Sequence, residues 1–499
     1  MCNPPACRRV CIDRSAHSRS ATMTALDWQM LLPYVILAGA AVILTPLTAF
    51  LRNRSLTASI ACVALAGTII ACIAISPLTP RSVTPLFTID RFALYFICLI
   101  AMCSLGAALL AYDYFRGSEA ACGEFFIFIL LSTFGAATIV SSVHFVSLFL
   151  GLEILNVSFY VLIAWRRLDS GGIEAAMKYL IPGAVGGAFL LFGMALVNAE
   201  LGTMRLSSIV SRLVAPGTAS LIVTSGIALI MVGIGFKLAL VPFHLWTADI
   251  YQGAPLPAAM LVATASKAAV FALFMRYFYP ILALHVFASS ALTAMAVASM
   301  LFGNLLALRQ KNLKRILAYS SIAHMGYFVS AFLGGSRFGV IAATYYLTAY
   351  VVTIIVAFGA LSMLSINGKA ETIDDIRSLS VRSPWLAGAF TIACASLAGL
   401  PLLAGFFGKF YVLAAITRSG AWTSAVTLVV TSGIGIYYYF RIISAMFERS
   451  EPSAKEAGGG TTRGATLSAI VLSFAVIAVI VIGTLPAPLT GLIALIVGR

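Results

Sequence analysis

The sequence predicts an all-α polytopic membrane protein of about 14 transmembrane helices, and three observations predict it. Of the 499 residues, 61% are hydrophobic and only 10% charged, against roughly 25% charged in a soluble domain. Mean hydropathy is +1.02. Apolar runs of about 20 residues, the length that crosses a hydrocarbon core, recur along the chain between short polar links.

In chain order the runs are 28–50, 56–76, 90–112, 124–141, 145–164, 174–198, 219–245, 256–278, 281–307, 313–333, 337–366, 383–417, 422–446 and 467–492. Ahead of them, residues 1–22 are polar, with four arginines and no apolar run. Two readings fit this stretch: an Arg- and Ser-rich transit peptide, or a disordered extension from an upstream start codon, with Met23 the natural beginning. Residues 23–112 hold the first three spans. The stretches 124–278 and 281–446 hold five spans each. EPSAKEAGGGTTRGA then makes 447–466 a flexible Gly-rich loop, and 467–499 carries the last span.

The net charge of +15 belongs to the loops and does not point to nucleic acid. Alternate loops differ in Lys and Arg. The richer set includes Arg54, Arg116, Arg166, Arg309, Lys311 and Arg377, and is expected on the cytoplasmic side. Both termini then fall on the opposite side. Of the nine cysteines, Cys62, Cys72, Cys98, Cys103 and Cys394 lie in apolar runs, where a thiol behaves as a small hydrophobe. Cys2, Cys7 and Cys11 lack metal-ligand spacing. With no CxxC pair, P-loop or GxGxxG motif, the expectation is that the chain itself binds no metal, nucleotide or flavin.

Spans seven and twelve are too long to be simple, and both are interrupted. Pro242 in GFKLALVPFHLW and Pro401 in SLAGLPLLAGFFGKF each remove a helical hydrogen bond. Broken helices at membrane depth are tolerated where they are buried in protein or line a wet cavity. The two breaks lie five spans apart. An odd number inverts the second copy, so spans four to eight and nine to thirteen read as two inverted five-helix repeats.

Ionisable residues are rare inside the runs. They are Glu153 in span five, Lys178 in six, Lys237 and His244 in seven, Lys267 in eight, His324 in ten and Lys409 in twelve. A lysine at a helix centre costs about 2.5–3.5 kcal/mol on insertion scales, and burial disfavours the charged form of amine and carboxyl alike. Such groups suit a proton relay. Duller readings stand beside this one. Lys178, about one turn inside its helix, either takes part or snorkels to the interface. His244 near a helix end fits a structural histidine. Glu153 with Lys237 also fits a purely structural ion pair.

Several stretches carry a resemblance: GLEILNVSFYVLIAW (151–165), AAMKYLIPGAVGGAFLLFGMALV (175–197), GFKLALVPFHLWTADIYQGAPLPAAMLVATASKAAVFAL (235–273), GNLLALRQKNLKRILAYSSIAHMGYFV (303–329) and LAGLPLLAGFFGKFYVL (397–413). The chain resembles the N-type antiporter-like membrane subunits of bacterial NADH–quinone oxidoreductase, complex I. Lys267 in ATASKAA and Lys409 favour the N type over its L- and M-type relatives. The resemblance implies a translocase subunit in the bacterial inner membrane. Glu153 would pair with Lys237, Lys267 would join two half-channels, His324 would lie on a central polar axis, and Lys409 would stand near the proton exit. Lys178 and His244 match positions of lesser weight. FMN, iron–sulfur clusters and quinone are then expected in partner subunits, among them neighbouring antiporter-like and small membrane subunits. Two departures stand out: the extension 1–22, and LAGLPLLAGFF, where the family often has a second proline. The alternatives are a subunit of a multisubunit cation/proton antiporter or of a membrane-bound hydrogenase complex.

Overall fold

The computed structural model describes residues 23–51, 53–116, 123–166, 169–214, 220–282, 286–333, 335–366, 371–448 and 466–497. The extension 1–22 and nearly all of the loop 447–466 lie outside them. The first helix, α1 (Ala25–Met30), starts from a capping box in which Thr24 and Asp27 satisfy each other's backbone N–H groups. It leads into α2 (Leu32–Phe50). The Asn53 and Asp90 side chains cap α3 (Arg54–Ile75) and α4 (Arg91–Tyr114). Between those two helices lies a small antiparallel hairpin, β1 (Arg81–Thr84) with β2 (Phe87–Ile89), which the all-helical expectation did not include.

The next stretch runs through α5 (Gly123–Ser141), α6 (Phe145–Ile163), α7 (Ser170–Leu201), α8 (Leu206–Val214), α9 (Leu221–Leu238), α10 (Trp246–Gly253), α11 (Leu256–Leu261) and α12 (Lys267–Leu282). It is followed by α13 (Val286–Leu308), α14 (Leu313–Phe332), α15 (Arg337–Ile366), α16 (Leu379–Arg382), α17 (Pro384–Ala398), α18 (Ala404–Arg418) and α19 (Trp422–Phe447). The last described helices are α20 (Thr466–Thr484) and α21 (Pro486–Val497). Among the described residues, 12 helices are long and apolar enough to cross a membrane. The remaining expected spans are helical as well. Span ten is α14, enriched in polar residues, and span twelve is divided between α17 and α18.

Both expected interruptions are present and share one geometry. α9 ends at Leu238, and Ala239 turns into the left-handed region at φ +58°. Its N–H donates to Phe236 O, and the Leu240 N–H donates to Gly235 O at 2.9 Å. α17 ends at Ala398, and Gly399 turns at φ +87°. There the Gly399 N–H donates to Ser396 O and the Leu400 N–H to Ala395 O, each at 3.0 Å. This double capping of the last carbonyls is the Schellman arrangement. A third irregularity is a π-helical turn, Val262–Ser266, immediately before Lys267. Such turns recur at functional sites.

The helix α15 packs against α14, α17, α18 and α20. Its Tyr345, Tyr346 and Tyr350 are fully buried. Cys72, Cys103 and Cys394 are buried and free, in keeping with apolar packing.

Candidate functional site

Lys237, Lys267, His324 and Lys409 are all buried, with exposures of 6%, 0%, 2% and 9%. Buried charges need partners, and the partners of these four fall into separate polar groups.

The first group lies on α6, where Glu153 and Asn156 sit one turn apart on the same face. Asn156 Nδ2 donates to Glu153 Oε1 at 3.2 Å, while Asn156 Oδ1 accepts from Lys237 Nζ. Lys237 also donates to the Tyr179 hydroxyl of α7 at 3.3 Å. Its ammonium lies 5.0 Å from the Tyr179 ring centroid and 5.4 Å from that of Phe236, within cation–π range. The direct contact expected between Glu153 and Lys237 is thus replaced by an amide bridge. Asn156 offers one atom of each polarity, so it can face a carboxylate and an ammonium at once. Lys237 occupies the last turn of α9, where the negative end of the helix dipole favours a cation.

Lys267 starts α12 and donates to Ser321 Oγ of α14. Ser321 is a hub. It accepts from the Tyr350 hydroxyl of α15 at 2.7 Å and shares a 3.3 Å hydrogen bond with the Tyr251 hydroxyl of α10. His324 follows Ser321 by one helical turn. Its Nδ1 bonds the Tyr346 hydroxyl at 2.6 Å, and its Nε2 lies 3.5 Å from the Tyr439 hydroxyl. The Tyr350 ring centroid is 5.3 Å from the imidazole. Tyr439 bonds Ser320, and its ring lies 4.4 Å from that of Tyr438. Tyr438 donates to Asn304 Oδ1 at 3.2 Å, and Asn304 Nδ2 donates to the Tyr327 hydroxyl at 3.0 Å.

Lys409 lies 5.7 Å from the Tyr327 ring centroid. It donates to Ser432 Oγ at 2.9 Å and to Ala398 O at 2.8 Å. Ala398 is the last residue of α17, so the break itself supplies the acceptor. Trp246 has the corresponding role at the other break, where its Nε1 donates to Phe236 O at 3.1 Å.

Two of the seven sequence-predicted residues stand apart. Lys178 is half-exposed and pairs with Glu174 at 2.7 Å and Asp249 at 3.0 Å. It borders a polar cleft of about 290 Å³ lined also by Arg166, Asp169, Lys314 and Glu371. Its ammonium is therefore held in an exposed ion-pair group, apart from the buried lysines. His244 is buried in the turn between α9 and α10, with Nδ1 lacking a hydrogen-bond partner among the described residues. Sequence reasoning missed Asn156, Tyr179, Tyr251, Ser321, Tyr346 and Tyr350. Their signal was faint: single hydroxyls and one amide in otherwise apolar helices, as in FLGLEILNVSFY and AYSSIAHMGYF. Among the described residues, no group of three or more His, Cys, Asp or Glu could hold a metal ion.

The family profile described as NADH:quinone oxidoreductase/Mrp antiporter, TM, matches residues 142–435. The NADH-quinone oxidoreductase subunit N of Ectopseudomonas mendocina (strain ymp) is 40% identical over 481 residues, covering 94% of this chain and 96% of the relative. A chain of respiratory complex I from Thermus thermophilus with bound aureothin is 33% identical, with TM-score 0.78, over 92% of this chain and 98% of that one. A chain of the membrane-bound sulfane sulfur reductase, an archaeal respiratory membrane complex, is 26% identical, with TM-score 0.83, over 94% and 96% of the two chains.

Proposed function

The chain belongs to the NADH:quinone oxidoreductase/Mrp antiporter family of membrane proteins, and on that premise we propose that it conducts protons along a relay of Glu153, Lys237, Lys267, His324 and Lys409. It is a multi-pass, proton-translocating membrane subunit of an NADH-quinone oxidoreductase, a translocase with many subunits. Its membrane is the bacterial inner membrane, by the source of its relatives. Electrons pass from NADH through FMN and iron–sulfur clusters to quinone in partner subunits. This chain supplies the path for protons. Its contacts in the complex are with neighbouring antiporter-like and small membrane subunits.

One observation carries the relay: three lysines and a histidine, each at least nine-tenths buried, have side-chain hydroxyls, an amide or a helix-end carbonyl as partners and, among the described residues, no carboxylate in salt-bridge contact. A chain that only filled the membrane gains nothing from that cost. In the reading proposed here, a change at a subunit contact alters the Glu153–Asn156–Lys237 bridge. Lys237 releases its proton toward Lys267. Ser321 and the tyrosines around it lead on to His324. From there the proton reaches Lys409 and leaves on the far side. Lys178 and His244 take no step in this scheme. The stretches 124–278 and 281–446 act as two inverted halves, each with one broken helix, and the matching caps at Ala239 and Gly399 support that pairing.

The test uses the assembled complex in membrane vesicles. Lys237→Ala and Lys267→Ala are expected to lower NADH-driven proton uptake and quinone reduction several-fold. NADH oxidation by a soluble artificial acceptor stays unchanged. Wild-type proton uptake in both variants refutes the relay.

A further inference from the structure

We infer that the Thr247 hydroxyl is a further relay group, passing a proton between Lys237 and Lys267; this rests on the relay proposed above. The hydrogen bonds of the two lysines do not meet. Lys237 bonds Asn156 and Tyr179, whereas Lys267 bonds Ser321. The helix α10 lies between the two groups, packed against α7, which carries Tyr179, and against α14, which carries Ser321. At its start, the Trp246 ring stands 5.1 Å from Tyr179 and 5.3 Å from Phe236, the two rings that face the Lys237 ammonium. Near its end, Tyr251 shares Ser321 with Lys267. Thr247 lies one turn before Tyr251, on the same face.

Thr247 is fully buried, and its Oγ1 has no hydrogen-bond partner among the described residues. Buried threonines elsewhere in these helices solve that problem locally. Thr264, Thr344 and Thr353 each donate to the carbonyl four residues back, at 2.7, 2.8 and 2.7 Å. For Thr247 that carbonyl belongs to Phe243, in the turn that interrupts the helix before α10 begins. The break therefore denies Thr247 the usual acceptor and leaves a hydroxyl available on the helix that packs against those carrying Tyr179 and Ser321. His244, one turn earlier, contributes a second unpartnered polar atom, Nδ1, to the same turn. In the transfer, the Thr247 oxygen accepts a proton from the Lys237 side and releases its own toward the Lys267 amine. One O–H bond forms as another breaks, the threonine is regenerated, and one positive charge has moved.

The experiment measures NADH-driven proton uptake by the assembled complex in vesicles. It compares Thr247→Val, which keeps the shape and removes the hydroxyl, with Thr247→Ser, which keeps the hydroxyl. Thr247→Val is expected to lose uptake several-fold while oxidising NADH normally with an artificial acceptor, and Thr247→Ser is expected to stay near wild type. If Thr247→Val fails to assemble, Thr247→Ala gives the decision in the same assay. The inference is overturned if the hydroxyl-free variant pumps at the wild-type rate while Lys267→Ala is blocked. It is equally overturned if Thr247→Ser loses as much as Thr247→Val, since packing then explains both. Normal uptake in Lys237→Ala and Lys267→Ala would instead remove the relay itself.

Discussion

Replacing Ser321 with alanine removes the hub at which Lys267, Tyr350 and Tyr251 converge. The Ser321 oxygen accepts from the Lys267 ammonium and, at 2.7 Å, from the Tyr350 hydroxyl. Lys267 has no measurable exposure, and Ser321 is its one hydrogen-bond partner among the described residues. A hydrogen bond to a charged group contributes about 1.5–3 kcal/mol. If that energy is lost from the state in which the proton passes Lys267, transfer slows by about 10- to 160-fold, at about 1.36 kcal/mol per decade. The volume change is small, so the fold and the assembly should survive. The assay is the initial rate of NADH-driven proton uptake in vesicles, normalised to NADH oxidation with an artificial acceptor. Ser321→Thr, which keeps an oxygen at the same place, should recover most of the rate. Unchanged uptake in Ser321→Ala would show that Lys267 does not depend on this hydroxyl, and the path from Lys267 to His324 would have to be redrawn.

Two further substitutions probe the ends of the path. Asn156→Leu keeps the bulk and removes the amide between Glu153 and Lys237; proton uptake should fall about as far as in Lys237→Ala, and a wild-type rate would show that the bridge is not used. Gly399→Ala places a methyl 3.0 Å from Lys409 Cδ at a backbone φ of +87°, which costs an L-residue about 1–2 kcal/mol. It should lower both the thermal stability of the isolated complex and its proton uptake, and an unshifted melting temperature would count against the strained turn.

Much of this was legible along the chain. Long apolar runs can satisfy their backbone only as helices within lipid, so the span limits could be read one by one; the run expected at 337–366 is helix Arg337–Ile366. Pro242 and Pro401 marked both breaks, because proline cannot continue a helix's hydrogen bonding. The hairpin at 81–89 was not legible, since two strands of four and three residues leave almost no period to detect. The buried lysines were conspicuous because charge is rare in these runs. The hydroxyls and the amide that hold them were not, because Ser, Thr and Tyr are common in membrane helices and look alike whether they bond their own helix or a neighbour. Lys178 shows the limit from the other side. Its place on α7 left two roles open, and only the tertiary structure showed its charge paired with Glu174 and Asp249.

By itself, the sequence determined that the chain is a bundle of apolar helices, which of them break, and where costly charges enter the membrane. These are properties of single segments, fixed by transfer energy and backbone hydrogen bonding. Tertiary structure alone decided that Asn156 stands between Glu153 and Lys237, that Ser321 gathers groups from three other helices, and that a carbonyl freed at Ala398 receives Lys409. Such contacts join residues as many as 81 positions apart, as Asn156 and Lys237 are. They depend on the angle and register at which helices pack, which no local pattern encodes.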